Sequence, residues 1–543
     1  MRIANQILMY LKKVGVNHVF GIPAGTISPL IDALNDVPIQ PIVTKNEGGA
    51  AYMATRYASV SKKLAVCIGA GCVGANNMMN GVGDAHRGKA PVLFLTGYIH
   101  RWQIGKGAIQ ELDTEQIFKP ITKYSKTILK EEDVMKELAY AIETALTVPM
   151  GPVHLSIPID IQNADLPLQI PEFQAPIYHS CIESEEIMAN ACKAIDNSEK
   201  GLILVGKGSR GNTNIIKELS THLNWPVITT PEGKGVIAQD FPLNLGNYGF
   251  ASTHAAFSYV NDPTVDCILI LGTSLGESAT NNYSEALTQG KKVIHIDWDE
   301  RELGKVYETH FKICADLATA IPYLIKNTKV KNEVFQRGTI NQPSKKMNTG
   351  VSIKKFMEDL PQYMPRDTFY VADMGEFMNF AFQYLQIPEE GDFETGLNYA
   401  AMGSAIGGAI GVQMAYPQRN VAVFAGDGCF FMNGMEVLTA AEYQLPIIYF
   451  IINNAMLSFV EHGHQFLFNR VIEDFHQKRI SIANMMATCG LKTLVIEDNS
   501  EITKLPEILK DRKGPVIIEI MTDGSEPAPN SDRLKALQKE KFT

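Results

Sequence analysis

Between Val421 and Met456 the chain reads VAVFAGDGCFFMNGMEVLTAAEYQLPIIYFIINNAM. The apolar run Val421–Ala425 predicts a buried parallel strand, being too short for a helix. It breaks at Gly426-Asp427-Gly428, one carboxylate between two residues of unrestricted backbone. A helix is expected next, with Phe431, Met435, Leu438 and Ala441 spaced to share a face, then a second strand, Ile447–Ile452, ending on Asn453-Asn454. Two adjacent parallel strands would deliver Asp427 and Asn454 to one carboxyl edge, where open α/β sheets bind ligands. A carboxylate, an amide and a nearby backbone carbonyl are oxygen ligands, suited to a hard cation such as Mg2+ that takes phosphate oxygens as well. Either half alone is an ordinary turn or strand cap. Across a single strand–helix–strand unit the two together point to a site.

The chain's 543 residues are enough for about three domains. Charged residues at 20% and hydrophobic ones at 45% fit a globular protein. A net charge of −10 leaves no basic excess to displace counterions, so nucleic acid is excluded as the main partner. The N-terminal stretch reads as an amphipathic helix interrupted by Lys12 and Lys13, without the apolar core of a signal peptide. No run reaches the ~18 apolar residues of a membrane helix, so no membrane partner is expected. Eight scattered cysteines form no CxxC pair, which fits reduced thiols in a cytoplasmic protein. Cys429, beside Gly428, reads as a small packing residue, because no histidine lies near it in sequence.

Strand and helix signals alternate through three segments, 1–165, 184–328 and 351–543, the last ending in a tail from Gly524. This is the pattern of doubly wound parallel sheets. In the first, strands are expected at His18–Gly21, Ile39–Thr44, Leu64–Ile68 and Pro91–Thr96. A small-residue helix over Gly48–Ser59 would let another backbone pack close, and Gly69–Asn77 reads as a glycine-rich loop before a helix to His86. Polar, Pro-rich stretches at 164–184 and 329–350 read as linkers. In the second segment Gly206-Lys207-Gly208-Ser209-Arg210-Gly211 follows a strand, as a dinucleotide site requires. The acidic residue that should come next, Glu232, is displaced behind Pro231, and a plain tight turn is the better reading. The third segment adds strands at Thr368–Ala372 and Val516–Ile520 and a glycine-rich run, Tyr399 to Gly408. The tail reads as either a flap or a frayed end.

The GDG…NN pair, together with FGIPAG (Phe20–Gly25), KNEGGAAYMATRYA (Lys45–Ala58), GANN…GVGDA (Gly74–Ala85), PEGKGV and AAMGSAIGGAIG, resembles the acetolactate synthase-like thiamine diphosphate (ThDP) enzymes along nearly the whole chain. That resemblance implies three doubly wound α/β domains (Pyr, central and PP) in a homodimer or homotetramer, with ThDP held between two subunits. It implies Glu47 as the carboxylate at the cofactor's pyrimidine ring, its pKa raised by burial beside the small-residue helix. Mg2+ would be held by Asp427, the Asn454 side chain and the Met456 backbone oxygen. Met402 would wedge the cofactor into a bent shape. Gly25, Asn77, Gly375, Ala400, Gly426 and Gly428 would line the cofactor.

Departures from the family pattern narrow the reaction. The His-His pair of aldehyde-forming decarboxylases is missing, leaving a lone His100. The Phe-Gln pair of acetolactate synthases becomes Ile109-Gln110, which keeps Gln110 as a catalytic candidate. The pocket-sizing tryptophan is replaced by Gly463, so that Ile109, Val460, His462 and His464 become the substrate-pocket candidates. FAD, bound in the central domain by several family members, is the disfavoured option, since the lysine and arginine expected near Ile159 and Gly272 are missing. The expected activity is decarboxylation of a 2-oxo acid such as pyruvate and transfer of its acyl unit to a carbonyl acceptor. The alternatives are a non-ligating decarboxylase or acyl transferase, and a ThDP-binding subunit with little activity of its own.

Overall fold

A computed structural model describes residues 1–174, 184–331 and 350–529. The linker readings at 175–183 and 332–349, and the tail from 530 onward, lie outside the described residues. The fold is three six-stranded, wholly parallel sheets with interleaved helices. The first comprises β1 His18–Gly21, β2 Gln40–Val43, β3 Ala65–Gly69, β4 Val92–Tyr98, β5 Tyr124–Thr127 and β6 Val153–Pro158, in the order β2-β1-β3-β4-β6-β5. The second comprises β7 Gly201–Val205, β8 Val227–Thr229, β9 Asn244–Asn247, β10 Cys267–Leu271, β11 Lys292–Asp297 and β12 Phe311–Cys314, ordered β12-β11-β10-β7-β8-β9. The third comprises β13 Phe369–Ala372, β14 Asp392–Thr395, β15 Val421–Gly426, β16 Ile448–Asn453, β17 Lys492–Ile496 and β18 Val516–Met521, ordered β14-β13-β15-β16-β18-β17.

The central strands of each sheet are buried along their length, as in β3, β7 and β10. Helices cover both faces of such sheets, so their strands read as unbroken apolar runs. The middle sheet has the order of a dinucleotide-binding fold, 3-2-1-4-5-6. The outer two share a different order, second-first-third-fourth-sixth-fifth, so corresponding strand ends in the two sheets are equivalent positions.

The outer sheets meet through two helices, Glu47–Ser61 and Ser404–Ala415. Both are rich in glycine and alanine where they touch. A Cβ at Gly411 would run into the Met53 carbonyl oxygen, and one at Gly407 would lie 3.1 Å from the Gly49 oxygen. One apolar core therefore runs through both units, joining Ala50, Met53 and Ala54 to Ile406, Ala409 and Ile410.

Two local expectations are corrected. Gly69–Asn77 is not a loop throughout, because the next helix already begins at Val73. The single helix expected after the Gly426-Asp427-Gly428 turn, with Phe431, Met435, Leu438 and Ala441 on one face, is two, Asp427–Asn433 and Glu436–Glu442, hinged at Gly434, where a side chain would strike the Phe430 carbonyl. The core-facing residues are Phe430, Val437 and Ala440, while Phe431 and Met435 are 46% and 48% exposed. The Gly206–Gly211 run is a tight 3-10 turn at Lys207–Ser209. Its glycines let the backbone approach Gly272 closely.

A buried charge cluster ties all three units together. Arg56 pairs with Asp84 at 2.9 Å, and Glu394 receives Lys207 at 2.6 Å, Arg210 at 3.3 Å and the Ser59 hydroxyl at 3.0 Å. Burial pushes the Glu394 carboxyl up, but Lys207, Arg210 and Arg56 together hold it down to about 2. Its stabilisation is therefore present above the ordinary carboxylate range and is lost as pH falls toward 2. Glu394→Ala strands buried cations and should cost about 3–5 kcal/mol in denaturant unfolding. Glu394→Gln should flatten the acid limb of the stability profile.

Candidate active site

In each outer sheet the candidate residues follow the carboxyl ends of equivalent strands. In the first, Gly25 follows β1, Glu47 follows β2, Asn77 lies in the helix after β3, and Ile109 and Gln110 lie on the loop after β4. In the third, Gly375 follows β13, Ala400 and Met402 follow β14, Asp427 follows β15, and Asn454, Met456 and Val460 follow β16. All of these third-sheet residues, with Gly426 and Gly428, line one cleft. None of the first-sheet candidates lines it.

The strand-end turns fix the oxygens of the cleft. Asp427 begins a helix, and its Oδ1 accepts the Gly428 amide at 2.8 Å. Its Oδ2 accepts the Ala455 amide at 2.7 Å, which locks the turn after β15 to the turn after β16. Ala455 adopts φ +55°, reversing the chain so that Asn454 and Met456 share one side. The Asn454 Oδ1 accepts the Met456 amide at 3.1 Å. The Met456 carbonyl accepts no hydrogen bond among the described residues.

Asp427 is 7% exposed, and burial pushes its carboxyl up. Each carboxylate oxygen still has a lone pair after its one amide bond. A buried carboxylate with no ion pair among the described residues, an amide oxygen and an open carbonyl fit a hard cation. Among the described residues no three His, Cys, Asp or Glu side chains form a metal cluster. A cation here would be held by one carboxylate plus neutral oxygens, as is usual for Mg2+ bound with phosphate.

Around this point the cleft is shaped by small residues and one methionine. A Cβ at Gly428 would lie 3.3 Å from the Met402 methyl, so the glycine preserves the space Met402 projects toward. Met402 is set by a carboxylate that the sequence reading overlooked. Asp373, buried at the end of β13, accepts the amides of Met374 (2.8 Å), Gly403 (2.8 Å) and Ala405 (2.9 Å), pinning the turn that carries Met402. Its burial raises the carboxyl to about 6. Its signal was an acid directly following a predicted strand. Asp373→Ala frees three buried amides and should cost about 3 kcal/mol or more, read as a lowered denaturant midpoint. Cys429 is buried, donates to the Met374 carbonyl at 2.9 Å, and burial lifts its thiol far above the thiolate range, so it is a packing residue.

In the first sheet Glu47 opens its helix behind the Asn46 cap, whose side chain accepts the Gly48 amide at 2.7 Å. The Glu47 Oε2 accepts from Asn77 Nδ2 at 3.0 Å. Gly74 leaves room for Oε1, since a Cβ there would stand 3.0 Å from it. Glu47 is half-exposed rather than buried as expected, because the described residues leave that edge partly open. A second overlooked carboxylate braces it. Glu436, 1% exposed, accepts the Lys45 amide at 3.1 Å and the Asn46 amide at 2.9 Å. Its signal was an acid in an otherwise apolar helix. Ile109 is 92% exposed, and Gln110 sits at φ +67°.

The helix Ser458–Phe468 separates the two histidines. His464 packs between Phe468 and Phe475, with ring centroids 5.1 and 5.2 Å away, and does not line the cleft. His462 does not itself line the cleft, but its Nδ1 bonds Glu376 Oε1 at 2.7 Å, and Glu376 does line it. Glu376 was overlooked because an acid at a helix start reads as a macrodipole residue.

Two sheets of one strand order thus present a carboxylate at one edge and a set of oxygen donors at the equivalent edge of the other. Family models described as thiamine pyrophosphate enzyme match the chain three times: the N-terminal TPP binding domain over residues 1–117, the central domain over 188–324 and the C-terminal TPP binding domain over 373–520. The chain belongs to the thiamine pyrophosphate enzymes, of the acetolactate synthase type. It is 28% identical to the probable acetolactate synthase large subunit of Methanocaldococcus jannaschii, over 97% of this chain and 93% of that protein. It is also 28% identical to the acetolactate synthase large subunit of Lactococcus lactis, over 96% and 92%. The isozyme 1 large subunit of Escherichia coli is 27% identical, over 96% and 94%. No helix among the described residues is long and apolar enough to cross a membrane.

Proposed function

We propose that the chain is a Mg2+-dependent carboligase that decarboxylates a 2-oxo acid, pyruvate being the first candidate, and transfers the acyl unit to a carbonyl acceptor. The observation that carries this reading is the split of the site between equivalent edges of two sheets, with Glu47 on one and Asp427, Asn454 and Met456 on the other. The curated relatives, named as acetolactate synthase subunits, support ligation over simple decarboxylation.

Bound thiamine diphosphate would supply the nucleophilic carbon and the electron sink for losing carbon dioxide. The chain's own residues do the rest. Asp427, the Asn454 side chain and the Met456 carbonyl hold the cation that receives the diphosphate. Met402 and Gly428 shape the cleft beside it. Glu47, with Oε2 fixed by Asn77 and Oε1 left open, holds and returns a proton at the pyrimidine ring nitrogen.

Because the first-sheet half does not line the cleft of its own chain, the complete site requires a second copy, in a homodimer or homotetramer. The exposed Phe431, Met432 and Met435 beside the cation-binding turn suit burial in such a contact. Seven free cysteines among the described residues favour a cytoplasmic location.

The test is product analysis by mass spectrometry, with pyruvate offered alongside a panel of aldehydes and 2-oxo acids. An acetohydroxy acid or acyloin is expected. Carbon dioxide with free aldehyde alone would give the non-ligating decarboxylase. Cofactor binding without carbon dioxide release would give the subunit of little activity.

A further inference from the structure

The cleft is unusually acidic for a site that must admit anions. Three carboxylates line it, Glu376, Asp427 and Glu526, and no lysine or arginine does among the described residues. Glu526 is spent on its own chain, accepting the Ser352 hydroxyl at 2.8 Å and the Ile353 amide at 2.6 Å. Asp427 faces the proposed cation, and Arg479 acts on it as a favourable charge. Arg479 in turn donates to the Thr522 carbonyl at 2.8 Å.

Glu376 differs from both. It is 8% exposed, and its Oε1 is taken by His462 Nδ1 at 2.7 Å. Its Oε2 has no hydrogen-bond partner among the described residues. His462 has a side chain 32% exposed, and it stands just beyond Ser458, Phe459 and Val460, which line the cleft. With Nδ1 held by the carboxylate, Nε2 is the ring's remaining polar atom, and it too has no partner among the described residues. One nitrogen fixed on a buried acid orients an imidazole and sets which proton it offers.

We propose that Glu376 and His462 form a positioning couple in which the carboxylate keeps the imidazole cationic and His462 Nε2–H receives the carboxylate of an anionic carbonyl substrate, a 2-oxo acid. This rests on the proposed function and adds the group that selects a charged substrate over a neutral aldehyde. The charged groups that act on His462 are acidic: Glu376 from the helix after β13 and Glu461 on its own helix. Glu461 is itself paired with His476 at 3.0 Å. The Glu376 hydrogen bond raises the His462 pKa, burial opposes it, and Glu461 adds to the rise. The ring thus stays charged to higher pH than a free histidine, and substrate affinity should fall as pH rises through that raised value.

The experiment has two arms. In the first, histidine-labelled full-length protein without cofactor is followed by NMR, so that no turnover occurs. His462 should titrate above the usual histidine value, drop in Glu376→Gln, and shift on addition of pyruvate. In the second, His462→Gln should raise KM for the 2-oxo acid about tenfold, ~1.4 kcal/mol, with the loss falling on KM rather than on kcat. His462→Arg, which keeps a cation, should recover much of it, and KM for a neutral aldehyde should not move. A His462 signal unmoved by pyruvate, a titration unaffected by Glu376→Gln, or an unchanged KM in His462→Gln would overturn the inference. Wild-type protein that turns over no 2-oxo acid would overturn the proposed function instead, and the NMR arm would still decide the couple.

Discussion

Asp427→Ala should lose Mg2+-dependent retention of thiamine diphosphate, with calorimetric affinity falling at least a hundredfold. Removing one partner of a buried charge pair costs about 3–5 kcal/mol, and ~2.7 kcal/mol already corresponds to a hundredfold. The loss should be this large because the position is doubly committed. Its two oxygens accept the Gly428 and Ala455 amides, so alanine removes the only carboxylate among the proposed cation ligands and also releases the link between the β15 and β16 turns. Chelator should bring the wild type to the mutant's affinity and leave the mutant unchanged. Mutant binding that equals the wild type and still responds to chelator would place the cation elsewhere.

Glu47→Gln separates binding from activation. Glutamine keeps the shape of the side chain and an oxygen for Asn77 Nδ2, so the fold and cofactor affinity should hold. Glutamine cannot take up or return a proton. General acid–base assistance contributes about 10²–10⁴ in rate, and release of carbon dioxide should slow by that factor. An unchanged rate would remove Glu47 from the chemistry.

How much of this was readable in the sequence depended on whether a residue's role is local. Strands such as Cys267–Leu271 are apolar end to end because both faces are covered, so their signal does not depend on distant partners. The Gly426-Asp427-Gly428 turn and the Asn454 turn were legible for the same reason. The helix split at Gly434 was not, because Phe431 and Met435 keep apolar spacing while facing outward. The periodicity recorded an apolar surface, and its phase did not say whether core or partner covers it. The bracing acids were hidden differently. Glu436 meets Lys45 and Asn46 from the other end of the chain, and Asp373 meets Gly403 and Ala405 across β14. Only the fold brings such groups together. Glu47 was found by pattern, but it is half-exposed, and in the proposed homodimer a second copy would supply the burial expected for it.

The division of the site between two copies can be tested by mixing two dead enzymes. Co-expressed Glu47→Gln and Asp427→Ala chains form mixed dimers in which one site has both lesions and the other has neither. Random pairing then predicts that carbon dioxide release recovers to about a quarter of the wild-type rate, although each parent alone is inactive. A mixture as inactive as its parents, in dimers shown to contain both chains, would contradict a site shared between copies.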